Sequence, residues 1–313
     1  MASNARAPAG DHSAQPESPA PPEPPAVLSA HQLRWGMEQW VAFLKDKAIP
    51  VLPETPARLA TIGERLANDV APKDVVAIVL EDPYLALKLL LRAEGHRSRT
   101  LGRETTTALG AVLQTGIDGL SRVAADAPPA DTSRTGLSDC VARAIAAARL
   151  ARAWASLRSD ISSEEVALAA LLSEAGELLL WHFAPELPGK AIDELRSGRA
   201  LRSLQAQQQA VGFSFKQLSL ALVDAWTLPS LIAQLIRGAD TPRANIARLA
   251  GDTARHVMTH PENPAIPADI VYVGRVIPSA SLEALIAPLP VSTEYKQRVM
   301  LAVMRQEPNE DIK

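Results

Sequence analysis

Residues 163–183 read as one apolar helix, and its centre, Leu168–Glu177, runs Leu-Ala-Ala-Leu-Leu-Ser-Glu-Ala-Gly-Glu. A helix of this kind belongs in a core, and the rest of the chain supplies helices to surround it. Leu33, Met37, Trp40, Val41 and Leu44 recur at helical spacing, which predicts an amphipathic helix within 29–47. Pro50, Pro53 and Pro56 break the chain into an extended stretch. Two short helices follow, one marked by Leu59, Ile62 and Leu66 and the other by Val75, Val76, Val79 and Leu80.

Asp82-Pro83 is a helix start, with Asp as the cap and Pro in the first helical position. That helix is expected to run through Leu85, Leu89 and Leu90 and to stop near Gly95. A polar, Arg-rich loop at 96–106 leads to a helix around Val112–Val123, then to a loose segment, Ala127–Thr135, that contains Pro128-Pro129. Beyond it come an Ala-rich helix at 137–157, the apolar helix, and further helices near 190–197, 200–211, 215–226, 228–238 and 241–259. Asp269–Val273 is too short to be read as a strand by itself, and no repeat of fixed period occurs. The fold class is therefore all-α, built as two packed helical halves, about 48–130 and 136–305, with 127–135 as the seam. Residues 1–28, crowded with Pro, Ala, Ser and acidic side chains, and residues 306–313 are read as disordered ends.

A chain of 313 residues with 47% apolar content can bury a real core. Its net charge of −3 offers no global field to attract nucleic acid, so such a role is not expected. Cys140, the lone cysteine, has no partner for an internal disulfide, which favours a reducing compartment, the cytoplasm. There is no basic end followed by an apolar run as in a signal peptide, and no run approaches the roughly 18 uninterrupted apolar residues of a membrane span, so no membrane role is expected.

The order of motifs then carries a family resemblance. Ile49-Pro50-Val51-Leu52-Pro53, Ile78-Val79-Leu80-Glu81-Asp82-Pro83 and Thr115-Gly116-Ile117-Asp118-Gly119-Leu120 resemble the N-terminal half of HDOD domains, bacterial signalling relatives of the HD phosphohydrolases. Ala169-Ala170-Leu171-Leu172 through Gly176 is similar to the family's GLLHDIG helix, and Trp226-Thr227-Leu228-Pro229 to its W-x-LP turn. The resemblance covers about residues 48–240. It implies an HD-like fold, and it makes Ser173 stand for the motif His and Glu174 for the Asp. Phe215 falls where a family His precedes the tryptophan turn, and Gly238 and Ala239 fall where a His pair can occur. Glu94-Gly95 replaces the family's Asn-Ser. Ser173, Glu174, Phe215, Gly238 and Ala239 are thus expected to be vestigial pocket positions, with no catalytic residue, metal or cofactor.

The residues support that expectation independently, since metal-dependent hydrolysis needs several imidazoles and a carboxylate converging on one ion. Of the six histidines only His256 and His260 share a helical face, and no Glu lies between them as in a zincin. They read as an exposed helix end favoured by the dipole. Glu174 and Glu177, with Asp224 and Asp240 nearby in the fold, form a conceivable carboxylate site for magnesium, although solvated or hydrogen-bonded carboxylates are the commoner reading. Ser173 has no GxSxG elbow, and Cys140 reads as a small packing residue. Arg92, His96, Arg97, Arg99 and Arg103 concentrate positive charge in a candidate binding loop, weighed against a plain solvated loop. Trp35, Trp40 and Phe43 are expected to cover the core more than to anchor a partner. The function expected is a non-catalytic signal-transduction or regulatory protein that binds a signalling protein or a small ligand. The alternative is a divergent metal-dependent phosphohydrolase.

Overall fold

The computed structural model describes residues 28–65, 72–100 and 104–306, and the readings made for residues 1–27, Leu66, residues 101–103 and residues 307–313 fall outside them. Leu28, placed in the tail from sequence, is buried against the core. After a 3-10 turn at Gln32–Arg34 come α1 (Met37–Leu44), α2 (Thr55–Arg65), α3 (Pro72–Leu80), α4 (Pro83–Thr100), α5 (Ala108–Thr115) and α6 (Ile117–Ala125). The chain continues through α7 (Thr135–Ala155), α8 (Ser163–Leu172), α9 (Ala175–Phe183), α10 (Glu186–Arg196), α11 (Ser203–Val211) and α12 (Phe215–Ala225). The last elements are α13 (Ser230–Arg237), α14 (Pro242–Thr259), α15 (Ile266–Val276), α16 (Leu282–Ile286) and α17 (Thr293–Gln306). No β-sheet occurs among the described residues, and Asp269–Val273 lies within α15.

Several boundaries differ from the sequence reading, each for a local reason. The first helix is short because Gly36 caps α1 and leaves only a 3-10 turn before it. Gly116, at φ +71°, divides the expected 112–123 helix into α5 and α6, a conformation that a Cβ would disfavour. The α4 helix does not stop at Gly95 but continues to Thr100, with Arg97 paired to the buried Glu94 one turn earlier. The 163–183 helix is two helices, because Glu174 at φ −91°, ψ 0° leaves the helical region. By length and hydropathy Ser163–Phe183 would pass as a membrane span, but 78% of its most apolar window is buried inside the fold.

Asp82 ties the proline-rich stretch to α4. Its Oδ1 accepts from the backbone N–H groups of Tyr84 and Leu85 at 3.0 Å each, and its Oδ2 accepts from Leu52 N at 2.9 Å and Thr55 Oγ1 at 2.7 Å. Burial pushes the Asp82 carboxyl up, against the pull of these donors.

The expected seam at 127–135 is tied to the proline-rich stretch near Val51. Val51 N donates to Pro128 O at 3.0 Å, Ala130 N donates to Val51 O at 2.8 Å, and Ala130 is buried. One apolar core runs from Leu28 to Ala244 across this segment, and Tyr84 Oη crosses the expected boundary to donate to Leu178 O at 2.8 Å. The core divides instead along α7. The first half of α7 lies in the larger core, and Ala147, Leu150, Ala151 and Trp154 in its second half join α14–α17 in a second core. Trp154 anchors that second core by donating Nε1–H to Leu285 O at 2.9 Å.

Candidate functional site

The break at Ser173-Glu174 brings a cluster of charged side chains into the interior. The helix end is orderly: Ser173 Oγ donates to Ala170 O at 2.7 Å, and the turn delivers Gly176 against α12. A Cβ on Gly176 would lie 2.7 Å from Phe215 O and 2.8 Å from Ser219 N, so only glycine permits this approach. Gly176 N donates to Ser219 Oγ at 2.8 Å, and that hydroxyl lies 2.8 Å from Ser173 O as its donor. The turn is thereby fixed to α12, and Glu174 and Glu177 face α7 and α14.

Arg143, one turn beyond Cys140 on α7, meets both carboxylates. Its Nη2 lies 2.8 Å from Glu174 Oε2 and 2.7 Å from Glu177 Oε2, while Nε lies 3.3 Å from Glu174 Oε2. Arg255 of α14 reaches Glu174 Oε1 at 3.5 Å and Asp252 Oδ1 at 3.4 Å, and Trp181 Nε1 donates to Glu177 Oε1 at 3.3 Å. Burial by itself would raise the Glu174 carboxyl, but the charges and hydrogen bonds of Arg143 and Arg255 overcome it and hold Glu174 below the usual carboxylate range. The Arg143 guanidinium is held charged by the same pairing in spite of its burial.

This group opens into a cleft of ≈100 Å³ bordered by Ser173, Phe215, Lys216 and Asp252, beside a cavity of ≈280 Å³ bordered by Trp181 and Met258. Cys140, Glu174 and Glu177 bring one donor atom each within 4.8 Å of one another, a spacing that a metal ion could use. The donor set does not fit one. Arg143 already bonds both carboxylates, and its Nη2 lies 3.3 Å from Cys140 Sγ. Burial pushes the thiol far above its usual range, so it stays protonated beside Arg143.

The other candidates fall elsewhere. Phe215 is buried at the start of α12 and lines both cavities. Gly238 is the left-handed cap of α13 at φ +92°, and Ala239 lines a separate cavity, so neither borders the Glu174 cleft. Asp224 lies 3.6 Å from Arg237, and Asp240 accepts from Asn245 at 3.5 Å; both are at the surface, and Asp252 is the third cleft carboxylate. His256 Nδ1 pairs with Asp269 Oδ2 at 2.7 Å, whereas His260 Nδ1 accepts from Glu262 N at 3.1 Å, so the two imidazoles serve different partners.

The basic loop is largely helix: Arg92, His96, Arg97 and Arg99 lie on α4, and Arg103 falls outside the described residues. Trp35, Trp40 and Phe43 form an edge-to-face cluster with centroids 5.0–5.7 Å apart, and Trp40 is buried. Sequence reasoning missed Arg143 and Arg255. The available signal was an arginine on the otherwise small and apolar face of α7 that carries Cys140, Ala144 and Ala147.

No curated protein matches the sequence. Among solved structures, a virulence factor from Campylobacter jejuni subsp. jejuni is similar at 16% identity over 83% of this chain and 98% of that one, with a TM-score of 0.64. The MmoQ response regulator from Methylococcus capsulatus str. Bath is similar at 15% identity over 82% of this chain and 99% of that one, with a TM-score of 0.59. At these identities the likeness is one of fold. Residues 49–242 match the HDOD domain, and the chain belongs to the HDOD family.

Proposed function

We propose that this chain is a non-catalytic signal-transduction or regulatory protein of the cytoplasm, acting through a bound protein partner or small ligand. The observation that supports this most directly is Arg143. A metal-dependent hydrolase needs a cation between its carboxylates to acidify water and hold phosphate; here a guanidinium lies 2.7–2.8 Å from Glu174 and Glu177. A guanidinium supplies charge and directional hydrogen bonds but no exchangeable coordination position for water. A similar fold in a response regulator is consistent with a signalling role. Ser173, Glu174 and Phe215 then act as parts of a packed scaffold whose helices shift when a partner prefers one arrangement.

The test is elemental analysis of untagged protein, together with hydrolysis assays on phosphomonoester and phosphodiester substrates in the presence of Mn²⁺. Metal below stoichiometry and no turnover are expected. One bound transition metal per chain, with hydrolysis lost on Glu174→Gln, would overturn the reading in favour of a divergent phosphohydrolase.

A further inference from the structure

A second pocket, of ≈470 Å³, shares no lining residue with the Glu174 cleft. It forms where the end of α1, the middle of α4, the end of α6 and Trp226 meet. Lys88 and Arg92 are four apart on α4 and so share a face. Lys45 caps α1, Lys47 follows it, and Asp126 is the one carboxylate in the lining, against four cationic side chains. Leu91 and Val123 add apolar wall, and the half-buried Trp226 adds aromatic surface.

Helix C-termini attract lysines simply to answer their carbonyls, and this corner contains three of them. At the α1 end that need is met by a tryptophan and not by a lysine. Trp226 Nε1 donates to Lys45 O at 3.0 Å, and Lys88 Nζ donates to Ile49 O at 3.0 Å. Lys47 Nζ sits 4.2 Å over the Phe43 ring. The side chains of Lys45 and Arg92 make no hydrogen bond or ion pair with any described residue. Burial pulls the Lys88 ammonium down, and the Asp126 and Asp82 carboxylates offset only part of that pull. The pocket thus holds surplus positive charge beside apolar and aromatic surface, the combination that suits a phosphate joined to a flat ring.

We propose that this pocket binds a small phosphorylated ligand of the nucleotide class, its phosphates held by Lys45, Lys47 and Arg92 and its ring seated against Trp226. The site goes beyond the proposed function, which rests on the Glu174 cleft, and its failure leaves that reading intact.

The test is calorimetric titration of the full chain with ADP, inorganic pyrophosphate and adenosine. Saturable ADP binding is expected, with pyrophosphate and adenosine each weaker by about tenfold or more, since each keeps half of the contacts. The double variant Lys45→Glu/Arg92→Glu should weaken ADP by at least about tenfold, because charge-assisted contacts to phosphate are lost, with its thermal midpoint unchanged. Arg92→Gln gives a milder loss in the same direction should the double variant fail to fold. No ADP binding up to on the order of 1 mM, or equal ADP affinity in the variants, would overturn the site. So would ADP binding that is lost in Arg143→Ala but kept in Arg92→Gln, or binding of single-stranded RNA with none of ADP.

Discussion

Replacing Arg143 with alanine isolates the central feature of the cleft. The change removes the guanidinium that lies 2.8 Å from Glu174 and 2.7 Å from Glu177, and leaves two carboxylates whose side chains are only 7% and 15% exposed. Breaking a buried pair from one side costs about 3–5 kcal/mol, because the remaining charge is desolvated and unpaired. Arg255, 3.5 Å from Glu174 and itself 41% exposed, compensates only in part.

The loss should also depend on pH. In the native protein Glu174 lies below its usual range, so its contribution is present above the unfolded value of about 4.3 and fades as pH falls through the lower folded value. Without Arg143, burial governs and the folded carboxyl takes up a proton more readily. The penalty of the variant then grows as pH rises above about 4.3 and is smallest in acid. Urea unfolding followed by far-ultraviolet circular dichroism at pH 7.5 and pH 4.5 measures both parts. Arg143→Met serves as the control that keeps most of the aliphatic stem. A loss under about 1 kcal/mol at pH 7.5, or an equal loss at both pH values, would refute the assignment of Arg143 as the cation that neutralises this pair.

Other outcomes follow from single positions. Gly176→Ala should lose about 2–3 kcal/mol by chemical denaturation, because its Cβ would meet backbone atoms at 2.7 and 2.8 Å that cannot swing aside; a neutral effect would mean that α9 and α12 can separate freely. Thr227 sits at φ +53° in the residue after the α12 cap, with Leu228 N bonded to Val223 O at 3.1 Å, so Thr227→Gly should raise stability by about 0.5–1 kcal/mol in a thermal melt. Asp82→Ala should cost about 3 kcal/mol by urea titration, since buried donors on Leu52, Thr55, Tyr84 and Leu85 lose their acceptor. His182 is lowered to about 4 by burial and then by Arg134, so the unfolded chain binds its proton first. Stability should therefore fall by about 3 kcal/mol from pH 7 to pH 4 through this group, a slope that His182→Gln should reduce.

Much of the helical order was legible because apolar spacing and caps are local signals: Asp82-Pro83 opens α4, and Trp226-Thr227-Leu228-Pro229 closes α12. The interruption at Ser173-Glu174 was not, since apolar content over 163–183 is high on either side and a turn of two residues barely changes it. The full length of α4 was not legible because a glycine such as Gly95 is a local stop signal, whereas the Glu94–Arg97 pair that spans it appears only once the helix has formed. Glu174 was found by position within a motif, yet its partner Arg143 lies 31 residues earlier and Arg255 lies 81 residues later. Side-chain partners that distant are set by the packing of α7 and α14 beside α8, which no local pattern encodes.

The placement of α7 in both cores decides where this polypeptide can be divided. The HDOD match ends at residue 242, where α14 begins, yet Trp154 and Leu150 of α7 lie buried against residues from α14 onward. A fragment ending at 242 would strip the α14–α17 cover from the second half of its longest described helix, leaving only α8 against it, and would lose Arg255 from the Glu174 group as well. The family boundary at 242 therefore does not coincide with the edge of the second core, which reaches Val303 of α17.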